Sequence, residues 1–92
     1  NMPGKVVIKK YENRRLYDTE GSRYVNLDEV AAMIRAGRDV QILDAKSNED
    51  LTRSILTQII VEESRGGEAG LPLELLRQMI VTSDQARHQF LE

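Results

Sequence analysis

The side chains best able to make directed contacts lie together near the start of the chain, in Lys9-Lys10-Tyr11-Glu12-Asn13-Arg14-Arg15-Leu16-Tyr17 and then Arg23-Tyr24. Lysine neutralises a phosphate as a point charge, arginine grips a phosphate or a guanine edge with two N–H groups, and an asparagine amide can pair with adenine. Tyrosine adds a flat, partly apolar face, but it also favours strands for ordinary packing reasons. Residue types alone therefore leave two readings open: a nucleic-acid contact surface, or solvated strands whose tyrosines pack a small sheet.

Catalysis has little to draw on. His88 is the only histidine, it falls on the polar half of the last helical segment, and the chain has no cysteine with which to build a metal cluster or a thiolate nucleophile. The carboxylate pairs Asp28-Glu29, Glu49-Asp50 and Glu62-Glu63 fall where helix caps and solubilising charge belong. Gly66-Gly67 and Gly70 follow no strand and precede no lysine at phosphate-loop spacing. The expectation is a binding module and not an enzyme, with no cofactor and no metal.

Charge is unevenly distributed. The net value is −2, yet between Lys5 and Val25 six basic residues face three acids, whereas from Ser47 onward four basic residues face eight acids. A basic beginning and an acidic end point to an anionic partner for the first part. At 92 residues, 40% apolar and 30% charged, the chain has material for a single core. The lack of cysteine gives no sign of an oxidising compartment, and no apolar run approaches the roughly 20 residues that span a bilayer, so cytoplasmic placement without a membrane contact is expected.

These residues must be positioned by local structure. Val6 to Tyr11 is β-branched and aromatic and reads as a strand, with Val6, Ile8 and Lys10 on one face and Val7, Lys9 and Tyr11 on the other. Glu12-Asn13 offers a turn that leaves Arg14 and Arg15 near a hairpin tip, and Arg15 to Tyr17 makes the return strand. Asp18 to Gly21 is a second turn, with Gly21 expected to supply a positive φ, and Ser22 to Val25 a third strand. Asn26 or Asp28 caps a helix whose face is Leu27, Val30, Ala31 and Ile34 and which ends at Gly37. Val40 to Asp44 is another strand, and Thr52 an N-cap for a helix striped with Ile55, Leu56, Ile59 and Ile60. Pro72 fits the first turn of a third helix, apolar at Leu75, Leu76, Met79 and Ile80, which lacks a stop signal, so the natural protein is expected to continue.

The fold class expected is α+β: a small, mainly antiparallel meander carrying two core helices, with a C-terminal helix suited to oligomerisation through Leu75, Leu76, Met79 and Ile80. The boundaries expected are a domain over 5–65, a glycine-rich linker over 66–71, and the start of a helical region over 72–92. A two-stranded ribbon is narrow enough to enter a major groove, so the basic hairpin is compatible with base reading.

The blocks KKYENRRLYDT, SRYVNL, ILDAK and EDLTRSILTQII resemble the N-terminal domain of bacterial polyhydroxyalkanoate (PHA, of which PHB is one) synthesis regulators, over about Ile8 to Glu63. That resemblance implies a cytoplasmic repressor binding double-stranded promoter DNA of PHA synthesis or granule-protein genes and released when polymer appears, while the apolar stripe of the C-terminal helix adds the expectation of a homo-oligomer, dimer or higher. It also implies a polymer-sensing C-terminal region that meets PHA granules and lies beyond this chain. The residues it carries over are Lys9, Lys10, Tyr11, Asn13, Arg14, Arg15, Tyr17, Arg23 and Tyr24, with Lys46 and Arg53 from the later blocks. The alternative is a homo-oligomerising protein-interaction module that does not bind DNA.

Overall fold

The computed structural model describes residues 5–66 and 70–91, apart from the side chains of residues 13, 87 and 89–91; the expected linker residues Gly67, Glu68 and Ala69 lie outside them. The elements run β1 (Lys5–Tyr11), a 3-10 turn (Glu12–Arg14), β2 (Arg15–Asp18), β3 (Arg23–Val25), α1 (Leu27–Arg35), β4 (Asp39–Asp44), α2 (Thr52–Ser64) and α3 (Leu73–Leu91). The chain forms two units, residues 1–59 and 60–92, with the boundary inside α2.

In the first unit the sheet order is β3-β2-β1-β4. β1 pairs antiparallel with β2, and β2 with β3, as a meander should. β4, however, pairs parallel with β1, bringing Val6 beside Val40 and Ile8 beside Ile42. The sheet is thus α+β as expected but mixed, because a parallel neighbour requires a crossover and the segment carrying α1 supplies it. The expected ribbon is accordingly no free two-stranded arm: β1 is hydrogen-bonded on both sides.

Alternation decides the rest. Val6, Ile8, Leu16, Val25, Val40 and Ile42 point to one face and are buried there with Val30 and Ala31 of α1 and Ile55 and Ile59 of α2. Leu27, Met33, Leu51 and Leu56 pack at the margin. Of the four residues expected to stripe α2, Ile60 stays exposed.

α1 is closed at both ends by its own sequence. The Asn26 side chain accepts from Glu29 N (2.8 Å), and Glu29 in turn accepts from Asn26 N (2.9 Å), a capping box that settles the choice between Asn26 and Asp28. At the other end Arg38 N donates to Met33 O and Gly37 N to Ile34 O, a Schellman pair that places Gly37 at φ 91°, where a side chain would be strained.

Two positions differ from expectation for local reasons. The left-handed residue in the β2–β3 turn is Ser22 (φ 55°), not Gly21. A Cβ at Gly21 would stand 2.8 Å from Oδ2 of the buried Asp18, so a side chain there would oblige that carboxylate to move. Thr52 begins α2 but caps no N–H of its own helix: its Oγ1 accepts from Ile42 N (2.8 Å), and its own N–H goes to Asp50 Oδ1 (2.9 Å). With Leu51 N bonded to Ile42 O and Asp44 N to Glu49 O, the segment 49–52 closes the outer edge of β4.

In the second unit, α3 follows Pro72, which precedes the first helical residue and whose carbonyl accepts from Leu76 N (3.1 Å). No residue of this unit among those described is buried, and Leu73, Leu75, Met79, Ile80 and Val81 are exposed.

Thr52→Val should destabilise the fold by about 1–3 kcal/mol, because the N–H of fully buried Ile42 loses its acceptor. Thr57→Val, which removes only an exposed intrahelical bond to Arg53 O, should cost less than about 0.5 kcal/mol. Urea denaturation of both variants measures the contrast.

Candidate nucleic-acid interface

The period of two separates the adjacent lysines. Lys10 shares a face with Val6 and Ile8, one ladder step beyond the core, beside Leu16 on β2 and Asp44 on β4. Lys9 points to the opposite face, in a row with Tyr17 and Tyr24, and its Nζ donates to Asn48 Oδ1 (3.3 Å). Tyr11 and Arg15 face each other where β1 meets β2.

The 3-10 turn brings the two arginines to one end of the sheet. It closes on Arg14 at φ 67°, a left-handed conformation that costs a side-chain-bearing residue about 1–2 kcal/mol. Such strain at a surface turn is a pointer to function. Of Asn13 only the backbone, within this turn, is described. Arg15 lays its guanidinium over the Tyr24 ring, 5.4 Å from the centroid, and Tyr24 meets Tyr17 edge-on at 5.2 Å. A cation held over an aromatic face is fixed in direction without being neutralised.

Two shallow depressions flank this end. The first, of about 840 Å³, is lined by Lys10, Arg14 and Arg15 with Leu16, Tyr24 to Leu27, Ile55 and Gln58. It contains no acid. The second, of about 730 Å³, shares Lys10, Arg15 and Tyr24 and adds Tyr11, Glu12, Asp44, Ala45 and Lys46. The Asp44 carboxylate accepts from Ser47 N (2.7 Å) and Lys46 N (3.0 Å). These bonds, that from Ser47 foremost, together with the nearby charge of Lys10, hold its pKa below the ordinary carboxylate value, so the ionised form is favoured.

Pairing elsewhere makes the cluster distinctive. Arg23 is bonded to Glu29 (2.6 Å), Arg38 to Glu20 (2.6 Å), Arg65 to Glu62 (3.0 Å) and Arg77 to Glu74 (3.3 Å). Arg14, Arg15, Lys10 and Lys46 make no ion pair among the described residues.

Of the residues expected at a site, Lys10, Tyr11, Arg14, Arg15, Tyr24 and Lys46 therefore come together around the two depressions, with Lys9 and Tyr17 in the adjoining row of the sheet. Arg23 and Arg53 line neither depression: Arg23 is tied to the α1 capping box, and Arg53 stands exposed in the first turn of α2. Sequence reasoning missed Gln58. It lies one helical turn after Ile55, and that i, i+3 spacing from a core residue was the available signal.

An α+β domain with a cationic and aromatic end fits the class of small anion-binding, nucleic-acid-contacting modules. The family description of the PHB/PHA accumulation regulator DNA-binding domain matches residues 7–67, about two-thirds of the chain, and the chain belongs to that family. It is 47% identical over 74 residues to an uncharacterized protein of Allochromatium vinosum, covering 80% of this chain and 48% of that one. It is 46% identical over 74 residues to a protein of Thiocystis violacea described as uncharacterized in the phbA 5′ region, covering 80% of this chain and 54% of the other. The chain thus spans about half the length of these relatives. No solved structure matches it. No helix among the described residues is long and apolar enough to cross a membrane.

Arg23, through its side-chain bond, and the Asn26 amide lower the pKa of Glu29. Ionised Glu29 is thereby favoured in the folded state, so its contribution is full above the unfolded carboxylate value of about 4.3 and fades as pH falls through the lower folded value. The stability advantage of the wild type over Glu29→Gln should be largest at neutral pH and shrink on acidification below that range, as read from urea midpoints at several pH values. A gap unchanged down to strong acid would contradict it.

Proposed function

We propose that this chain is the promoter-binding part of a transcriptional repressor of PHA synthesis or granule-protein genes, acting on double-stranded DNA through the cationic end of its sheet. The observation that carries the reading is that Lys10, Arg14, Arg15 and Lys46 line the two depressions without a direct ion pair among the described residues, in a chain whose net charge is −2 and in which Arg23, Arg38, Arg65 and Arg77 are each paired with a glutamate. Family membership supports the DNA-binding and regulatory parts of it. Arg14 and Lys10 act as phosphate contacts, Arg15 is held by Tyr24 for a directed contact, and Gln58 supplies an amide on the same depression. Repression and its relief by polymer belong in this reading to the longer regulator.

Each phosphate neutralised contributes about −0.9 to the slope of log affinity against log salt. Arg14→Gly is the informative variant, because glycine relieves the left-handed strain while deleting the cation. It should be as stable as the wild type or more so, bind its upstream duplex about tenfold more weakly near 0.1 M salt, and lose about one unit of salt slope. Unchanged duplex affinity in a folded Arg14→Gly, Arg15→Ala double variant would sink the assignment.

A second reading, compatible with the first, is that α3 mediates homo-oligomerisation. It is favoured by exposed Leu75, Met79 and Ile80, the last 73% accessible, and by the half-buried Leu76 beside them. Met79→Glu with Ile80→Glu should convert an oligomer to a monomer in sedimentation velocity. A wild-type chain already monomeric at micromolar concentration would exclude it.

A further inference from the structure

The sheet has a second surface that a duplex contact at its end does not use. On the face opposite the core no side chain is buried, and three tyrosines stand there. Tyr17 and Tyr24 lie side by side across β2 and β3, and Tyr11 lies one step further along β1. Tyr24 is 54% and Tyr11 45% accessible, and none of the three belongs to the core cluster. Packing of the sheet accounts for the half-buried Tyr17, which meets Tyr24 edge-on, but not for the exposure of Tyr11 and Tyr24.

Cations stand among the rings on this face, with the exposed Glu12 beside Tyr11 at the end of the sheet. Lys9 stands next to Tyr17 in that row and donates to the neutral amide of Asn48, and Arg15 lies over Tyr24. Asp39, the acid on this face of β4, stands in register with Lys5 at the opposite end of the strands. Cations interleaved with aromatic rings on a flat, open surface match a polyanion that also presents π-faces. A duplex hides its base faces inside the stack, whereas unpaired bases can lie on tyrosine and arginine planes.

We propose that this open face binds single-stranded nucleic acid, with unpaired bases stacked on Tyr24 and Tyr11 and the backbone drawn in by Lys9 and Arg15. The binding is sequence-tolerant, because every base has a π-face. It shares Arg15, Tyr24 and Tyr11 with the depressions at the end of the sheet and differs from the duplex contact in using Lys9 and not Arg14.

Fluorescence anisotropy of the 92-residue chain against labelled oligo-dT and oligo-rU of about 12 nucleotides, beside its upstream duplex, tests this. The wild type should bind a single strand, and the ratio of the dT and rU affinities tells whether DNA or RNA is preferred. Tyr24→Leu should weaken single-strand binding about fivefold or more, with Tyr24→Phe restoring it, and Lys9→Ala, which lies outside both depressions, should weaken single-strand binding while changing duplex binding less than about twofold. Arg14→Gly should show the reverse pattern. Absence of binding to either oligonucleotide, or equal single-strand affinity in Tyr24→Leu and Tyr11→Leu, overturns the proposal. Lost duplex binding with single-strand binding intact supports it and removes the promoter assignment instead.

Discussion

The fold depends on β1 being hydrogen-bonded along both edges. Pairing with β2 on one side and β4 on the other leaves β1 no freedom to slip, because a shift of one residue would carry Val6 and Ile8 to solvent and Val7 and Lys9 into the core. The parallel pairing with β4 is the more demanding of the two, since it forms only once the β2–β3 turn and α1 have been traversed. With that register set, Lys10 is committed to the helix-covered side of the sheet and Lys9 to the open side.

The same constraint shapes the chemistry. Because the hairpin is part of a four-stranded sheet, its basic residues cannot act as a flexible arm; they are presented from a rigid edge at the 3-10 turn. Rigidity matters for arginine, whose planar donors contribute most when their direction is set in advance. Tyr24 does that for Arg15, and the turn does it for Arg14 at the expense of a left-handed backbone. The remaining arginines illustrate the opposite use of the residue: Arg23 serves a helix cap and Arg38 ties its loop to Glu20.

Local signals in the sequence were reliable where the physics is local. The alternation of β1, the capping residues Asn26 and Gly37 and the Ile55 and Ile59 stripe all stand where their spacing puts them. What was not legible depends on contacts between distant residues. The segment Val40 to Asp44 reads as a strand but carries nothing to say it lies parallel to β1. Thr52 has the chemistry of a helix cap, yet it is claimed by Ile42 of a neighbouring strand. Arg23 counts as basic ribbon until Glu29 is found beside it, and Gln58 acquires a place only when α2 is laid against the sheet. Gly21 does not supply the positive φ expected of it, which falls on Ser22, and its closeness to the Asp18 carboxylate is a detail that no turn rule anticipates.

The closure of β4 by residues 49–52 has a consequence for how copies of this domain can meet. An open strand edge is a template on which another chain can extend the sheet, and repeated extension leads to fibres. Here that template is occupied by the chain's own Glu49 carbonyl, Leu51 amide and Thr52 hydroxyl, and the opposite edge, β3, is only three residues long. Association through continuous sheets is closed off on one side and starved of length on the other. Assembly is thereby turned away from sheet extension and towards contacts between side chains.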